Sequence, residues 1–177
     1  MRVLDLGCGA NKRPGATGVD IVELPGVDVV WDLNRRQWPI SDSSYDLIIM
    51  NHIIEHLEDP VATMLEVHRV AAPNAVVDIV TPHFSSANSW SDPTHRHHFA
   101  VAAFDYFIKP MPGKSEPALF FMIERRLNFA GGIAPTIGRL LAKFNLAGYE
   151  MRSAFKYPAR NIFIKLGVRK SGDAAGR

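Results

Sequence analysis

The sequence predicts an α/β fold, a mostly parallel, open sheet of seven strands that ends in an antiparallel hairpin. Three observations predict it. Short apolar runs alternate with helical patterns along the chain. Two glycines, Gly7 and Gly9, follow the first apolar run, where parallel sheets carry their ligands. An acidic residue, Asp20, ends the second run. Strands and helices in this order imply right-handed crossovers between parallel neighbours.

Arg2–Leu6 reads as a buried strand, Thr17–Ile21 as the second and Val27–Trp31 as the third. Asp46–Asn51 (DLIIMN) is the fourth, entered through the turn residues Ser41-Asp42-Ser43-Ser44. Asp59-Pro60 has the chemistry of an N-cap with proline at the first helical position. Val61, Met64, Leu65 and His68 share one face of that helix, and Pro73-Asn74 is expected to end it. Ala75–Thr81 (AVVDIVT) is the fifth strand. Pro135–Ala147 is helical, with Gly148 placed as its stop. Glu150–Lys156 and Asn161–Leu166 read as the closing hairpin, turned at Tyr157-Pro158-Ala159. One domain is expected over 1–167, with an insert at 82–134. A basic, small-residue-rich tail, 168–177, reads as disordered.

A chain of 177 residues is long enough to bury one sizeable core. Its 47% apolar and 21% charged residues are ordinary for a soluble globular protein. A net charge of +2, with no basic block before the tail, argues against nucleic acid as a partner. Cys8 is the only cysteine, so no internal disulfide forms, and a cytoplasmic home is expected. The first residues read as a strand rather than a signal peptide. No apolar run approaches the ~20 residues of a membrane span, and no membrane partner is expected. A homo-oligomer is compatible with the sequence.

The glycines and Asp20 suit either a dinucleotide or an adenosine derivative, because an acid at that strand end can accept both hydroxyls of a ribose. A lone G-x-G also reads simply as a tight turn. The dinucleotide fingerprint wants a third glycine three residues after the second, where Lys12 stands. Only Ala10–Ala16 separate Gly9 from the second strand, and Pro14-Gly15 interrupt them. A pyrophosphate-binding helix has no room there. A nicotinamide-dependent oxidoreductase is therefore the alternative and not the leading reading.

Four blocks, "VLDLGCG", "TGVDI", "VVWDLN" with "WPISDSSYD", and "IIMNHIIEHLEDP", stand in an order and spacing that resemble the class I S-adenosylmethionine-dependent methyltransferases, in particular a compact type-11-like group. The resemblance covers about the first 80 residues. It implies a Rossmann-like, doubly wound fold and S-adenosylmethionine as cofactor. It also implies roles. Gly7, Cys8 and Gly9 would line the amino-acid part of the cofactor, with Asp5 supporting the loop. Asp20, next to Ile21, would hold the ribose. Asp32 would accept from the adenine amino group, with Leu33 against the ring, and Asn51 would border the methionine moiety. The chain departs from the family pattern in three ways. The first motif begins at Val3, so the usual helical lid is expected to be absent. The helix after the first strand is shortened or lost. Pro73-Asn74-Ala75 stands where relatives have Pro-Gly-Gly.

The acceptor side is expected in Pro82–Ala134, which follows the fifth strand and should hang over the pocket and cover the adenosine. It holds "PHFSSANSWSDPTHRHHF", then Phe104, Tyr106, Phe107, Phe120, Phe121 and Phe129, which read as insert core in preference to a ring platform. An Asp-Pro-Thr-His run resembles a small subgroup of the same family. Its Asp92-Pro93 turn would project Thr94 and His95. A small-molecule or glycan acceptor methylated at oxygen or nitrogen would need one base, and histidine suits that near neutral pH. His95 ranks first, with Asp92 orienting it or the acceptor, then His83, then His56. Asp92, His95, His97 and His98 match no strong zinc spacing, and no metal is expected. A non-catalytic S-adenosylmethionine-binding module is the remaining alternative.

Overall fold

The computed structural model describes residues 1–110 and 118–170. Its strands are β1 (Val3–Leu6), β2 (Thr17–Asp20), β3 (Val29–Val30), β4 (Tyr45–Asn51), β5 (Ala71–Pro82), β6 (Phe120–Asn128) and β7 (Asn161–Val168). Its α-helices are α1 (Pro60–Val70), α2 (Ala87–Ser91), α3 (Ile133–Phe144) and α4 (Leu146–Arg152). The seven strands form one sheet in the order β3-β2-β1-β4-β5-β7-β6. The first five are parallel, and β7 runs antiparallel to both β5 and β6. The sheet is Rossmann-like.

Local chemistry sets most boundaries. Asp59 caps α1, its Oδ1 accepting from Ala62 N at 2.9 Å, and Pro60 opens the helix. α1 stops at Val70, before Pro73-Asn74. Those two residues lie inside β5 instead. Asn74 takes φ +60°, and the pairing with β4 shifts between Tyr45 and Leu47, so they form a bulge and not a helix stop. The connection from β1 to β2 is a single 3₁₀ turn, Gly9–Asn11, as the short loop predicts.

The C-terminal third differs from expectation. Glu150–Lys156 is not a strand. Asn145 ends α3 and caps α4, its Oδ1 accepting from Gly148 N at 2.8 Å, so Gly148 starts a helix instead of stopping one. No tight hairpin forms at Tyr157-Pro158-Ala159. The antiparallel partner of β7 is β6, supplied by the insert. Val168 closes β7, and Arg169 N donates to Leu119 O at 2.9 Å, so the expected tail begins after the strand. Residues 171–177, where disorder is expected, lie outside the described residues.

Period-two alternation puts Leu4, Leu6, Ile48, Met50, Val77, Ile79, Ile162 and Ile164 on one fully buried face. Met64 and Val67 of α1 pack there with Val101 and Phe104. On the other face Ile49, Asp78, Val80, Phe163 and Lys165 stay half-exposed. The insert divides. Its first part, 83–98, lies along the segment that follows β4. Its later part joins the body, Phe104 and Phe120 entering the main core and Phe129 a smaller one with Tyr149.

Candidate functional site

A cleft of about 520 Å³ opens beside the ends of β1 and β4. Gly7, Cys8, Gly9 and Asn51 line it, with Asp5, Ile49 and Asp78 on the half-exposed sheet face below. Gly7 has φ +66°, and its N–H and that of Cys8 donate to Val19 O at 2.8 and 3.2 Å. A Cβ on Gly7 would stand 2.7 Å from Ile53 Cδ1, so backbone and packing both demand glycine. A Cβ on Gly9 would meet nothing within 4 Å. Its φ of +50° and its N–H, donated to Asp20 Oδ2 at 2.8 Å, explain the residue instead.

Two further carboxylates shape this loop. Asp5 is buried, and its Oδ2 accepts from Arg13 N at 2.8 Å, tying down the far end. Asp28 accepts from Lys12 Nζ and from Gly18 N, both at 2.7 Å. These two donors, the Lys12 side chain first, hold the Asp28 carboxyl below its ordinary range. Lys12, where a dinucleotide site would have glycine, is thus a loop strut. Its stem lies over Gly18, where a Cβ would stand 2.5 Å from Lys12 Cδ.

The cleft brings Asp5, Gly7, Cys8, Gly9 and Asn51 together. Asp20, Ile21 and Asp32 lie at the ends of β2 and β3, outside its lining. Asp20 also accepts from Val22 N at 3.0 Å, and its carbonyl accepts from Trp31 N at 2.8 Å, which joins the two strand ends. Ile21 is exposed. Asp32 accepts from Asn34 N at 3.0 Å. Leu33, expected against an adenine ring, is packed in the core, and its carbonyl accepts from Trp38 Nε1 at 3.2 Å.

Beyond Asn51 the chain turns through His52, at φ +54°, into the 3₁₀ turn Ile54–His56. Glu55 is 1% exposed. Its Oε1 accepts from His52 Nδ1 at 3.1 Å and its Oε2 from Thr81 Oγ1 at 2.9 Å. Its carbonyl accepts from Arg96 N and His97 N, at 2.8 and 3.2 Å, and so pins the Asp92–His98 stretch here. Sequence reasoning left Glu55 aside; an acid flanked by apolar residues in "IIEHL" is the signal for it.

Hydrogen-bond logic sets two histidine tautomers. The Thr94 hydroxyl donates to Asp92 Oδ1 at 2.6 Å, so toward His56 Nδ1, at 2.9 Å, it can only accept. His95 Nδ1 donates to Ser89 O at 3.0 Å. In the neutral rings both Nε2 atoms therefore carry lone pairs. The rings meet edge to face, centroids 4.6 Å apart. Asp92 thus orients His56 through Thr94, and touches His95 only by backbone, its carbonyl accepting from His95 N at 3.2 Å. The two Thr94 donors, hydroxyl first, hold the Asp92 carboxyl low.

His83 is enclosed. Its side chain has no exposed surface, Nδ1 pairs with Ser85 Oγ at 2.7 Å, and Nε2 pairs with Glu150 Oε1 at 3.0 Å. It ties the insert to α4, and no acceptor can reach it. His97 is turned inward, its Nε2 buried without a partner, while His98 stacks on Trp90 at 3.6 Å. Among the described residues, none that lines the cleft comes from 82–134. One donor atom each from Glu55, His56 and His95 lies within 4.8 Å of the others, a different grouping from the one the spacing suggested.

The profile of a methyltransferase domain family matches residues 1–107. The chain belongs to the methyltransferase domain family. No curated protein sequence compared with it matches. Among solved structures, this methyltransferase is similar to a putative methyltransferase from Bacillus halodurans, with 14% identity, TM-score 0.63, and 96% and 93% of the two chains covered. It is similar to an S-adenosylmethionine-dependent methyltransferase from Mesorhizobium loti, with 14% identity, TM-score 0.61, and 94% and 90% covered. The [4+2]-cyclase SpnF shares the fold at 14% identity and TM-score 0.60, over 96% and 75% of the chains.

S-adenosylmethionine is the cofactor of this methyltransferase, and the cleft fits it. Its volume lies in the range of small-molecule sites. Exposed glycine backbone allows close approach, and Asp5, Asp78 and Arg13 offer both signs of charge to a ligand carrying both. No helix among the described residues is long and apolar enough to cross a membrane.

Proposed function

We propose that this methyltransferase transfers a methyl group directly to an oxygen or nitrogen of a small-molecule or glycan acceptor, with His95 as the base. One observation carries this reading: the His95 ring gives its Nδ1 proton to Ser89 O, which directs a free Nε2 lone pair away from the backbone. His56, held by the Asp92–Thr94 chain, packs edge-on against it and limits its rotation. Both rings are half-exposed, so a single hydroxyl or amine can reach them.

In this reading Gly7, Cys8, Gly9 and Asn51 hold the methionine end of S-adenosylmethionine, Asp20 the ribose and Asp32 the adenine amino group. Bound there, the cofactor supplies an electrophilic methyl whose transfer leaves a neutral thioether. The chain then has two tasks. It aligns the acceptor, and His95 Nε2 takes the proton that the acceptor oxygen or nitrogen gives up.

The test is turnover of methyl-labelled cofactor against a panel of hydroxylated metabolites, amines and oligosaccharides, with wild type and His95→Ala side by side. Label transferred by wild type and lost in a folded variant supports the assignment. Tight S-adenosylhomocysteine binding with no transfer to any acceptor favours a non-catalytic module. The SpnF fold likeness makes that comparison necessary, because one fold hosts several chemistries.

A further inference from the structure

Helix α3 sits on the protein the wrong way round for an ordinary surface helix. Its inner side is made of small residues. Gly138 is buried, and a Cβ there would stand 2.8 Å from both Phe129 Cε1 and Tyr157 O. Ala142, one turn on, packs in the same small core. The large apolar residues recur at the i, i+4, i+7, i+8, i+11 spacing of one face, and that face points outward. Ile133 and Phe144 are each 84% exposed, Leu140 is 51%, and Leu141 and Ile137 are more than a third exposed. Met151 and Phe155, on and just after the adjoining α4, are also 82% and 75% exposed, the Phe155 ring meeting Phe84 edge to face.

The charge around this patch has one sign. Arg139, Lys143, Arg152, Lys156 and Arg160 are all exposed. The only acid between 129 and 160 is Glu150, which faces inward onto His83 and Val101 N. An outward apolar stripe flanked by cations matches a helix that lies in a bilayer interface, apolar side chains among the acyl chains and cations at the phosphates. A second copy of the chain fits less well. A two-fold contact would set this patch against itself and bring the cations together with no acid between them.

We infer that α3 and the Met151–Phe155 segment dock this methyltransferase onto the surface of an anionic membrane. Lying on a surface needs no spanning run, so the short apolar segments that exclude a span leave this open. The same contacts carry docking toward the site. Glu150 of α4 accepts from His83 Nε2 and from Val101 N, which ties α4 to the insert. This inference does not depend on the acceptor chemistry above.

Co-sedimentation of the full chain with vesicles tests it, comparing phosphatidylcholine alone with equal parts phosphatidylcholine and phosphatidylglycerol. Binding should appear with the anionic vesicles and fall at high salt. Leu140→Glu with Phe144→Glu should abolish it, and Arg139→Glu with Lys143→Glu should weaken it at least ~10-fold. All four side chains are exposed, so the helical signal and S-adenosylhomocysteine affinity should stay at wild-type values. Equal recovery in both pellets and both supernatants, or binding that survives the Glu substitutions, overturns the inference. So does a dimer in sedimentation velocity that Phe144→Glu dissociates, which would assign the face to a second copy.

Discussion

His56 and His95 meet edge to face, with ring centroids 4.6 Å apart and planes inclined by 71°, although one follows β4 and the other follows α2. Their Nδ1 protons go to different acceptors, Thr94 Oγ1 and Ser89 O. In the function proposed above, their two bare Nε2 atoms serve proton transfer. His95→Ala should lower kcat by ~10²–10⁴-fold with S-adenosylhomocysteine affinity and melting temperature unchanged. Thr94→Val, which breaks the link from Asp92 to His56, should lower kcat less than His95→Ala does. Steady-state kinetics beside thermal melts decide it. A melting temperature that falls in step with activity would make the pair structural.

Asp20 accepts from Gly9 N and Val22 N and so holds the glycine loop, and in the function proposed above it also holds the ribose. Asp20→Ala should weaken S-adenosylhomocysteine binding by ~1–3 kcal/mol, the scale of lost hydrogen bonds to a charged group. Calorimetry on the folded variant reads this directly, and unchanged affinity would remove the ribose role.

Gly7→Ala should cost both stability and affinity. The left-handed backbone and the Ile53 side chain each oppose a Cβ there. Gly15 has φ +78° with open space around it, so Gly15→Ala carries backbone strain alone, about 1 kcal/mol. Differential scanning calorimetry should rank Gly7→Ala as the more damaging of the two.

Burial alone would raise the Glu150 carboxyl, but donation from His83 and from the backbone N–H groups of Val101 and Ala102 outweighs it, and the group is held low. A depressed folded pKa adds stability above the ordinary carboxylate range, and that stability is lost as pH falls through the lower folded value. Glu150→Gln should therefore melt lower than wild type at neutral pH, and the gap should close in acid. A pH series of melting temperatures checks it, and a gap that stays constant would count against the linkage.

Glu55 already accepts from His52 and Thr81, so its carboxylate is satisfied by protein donors. Turnover should be insensitive to EDTA. Loss of activity on chelation, restored by a divalent ion, would turn the Glu55–His56–His95 cluster into a metal centre.

Most of the first 80 residues, the bulge at Pro73-Asn74 apart, were legible because their apolar runs sit directly on strands and their caps are local. Asp59-Pro60 opens a helix by its own chemistry. The later chain depends on contacts that no spacing reveals. Strand β6 was missed because its pairing with β7 shifts between Met122 and Glu124, which breaks the alternation where Glu124-Arg125-Arg126 begins. The end of helix α4, Glu150–Arg152, was read as a strand because Asn145 serves two helices at once, as the end of one and the cap of the next. At the site, residue types pointed to His95 and Asp92, but Asp92 bonds Thr94, and through Thr94 it reaches His56, brought in from a distant segment. His83 ranked second in sequence, and its burial against Glu150 is what separates it further.

The position of β7 between β5 and β6 has a consequence for how the chain is made. During synthesis β6 emerges well before the strand it pairs with, and β5 keeps one open edge for the same interval. Both edges offer unpaired backbone groups until Asn161–Val168 arrives and slots between them. A truncation just before Asn161 would leave two strands exposed in place of one finished sheet. Such a fragment should associate with itself during expression, however intact its cofactor motifs are.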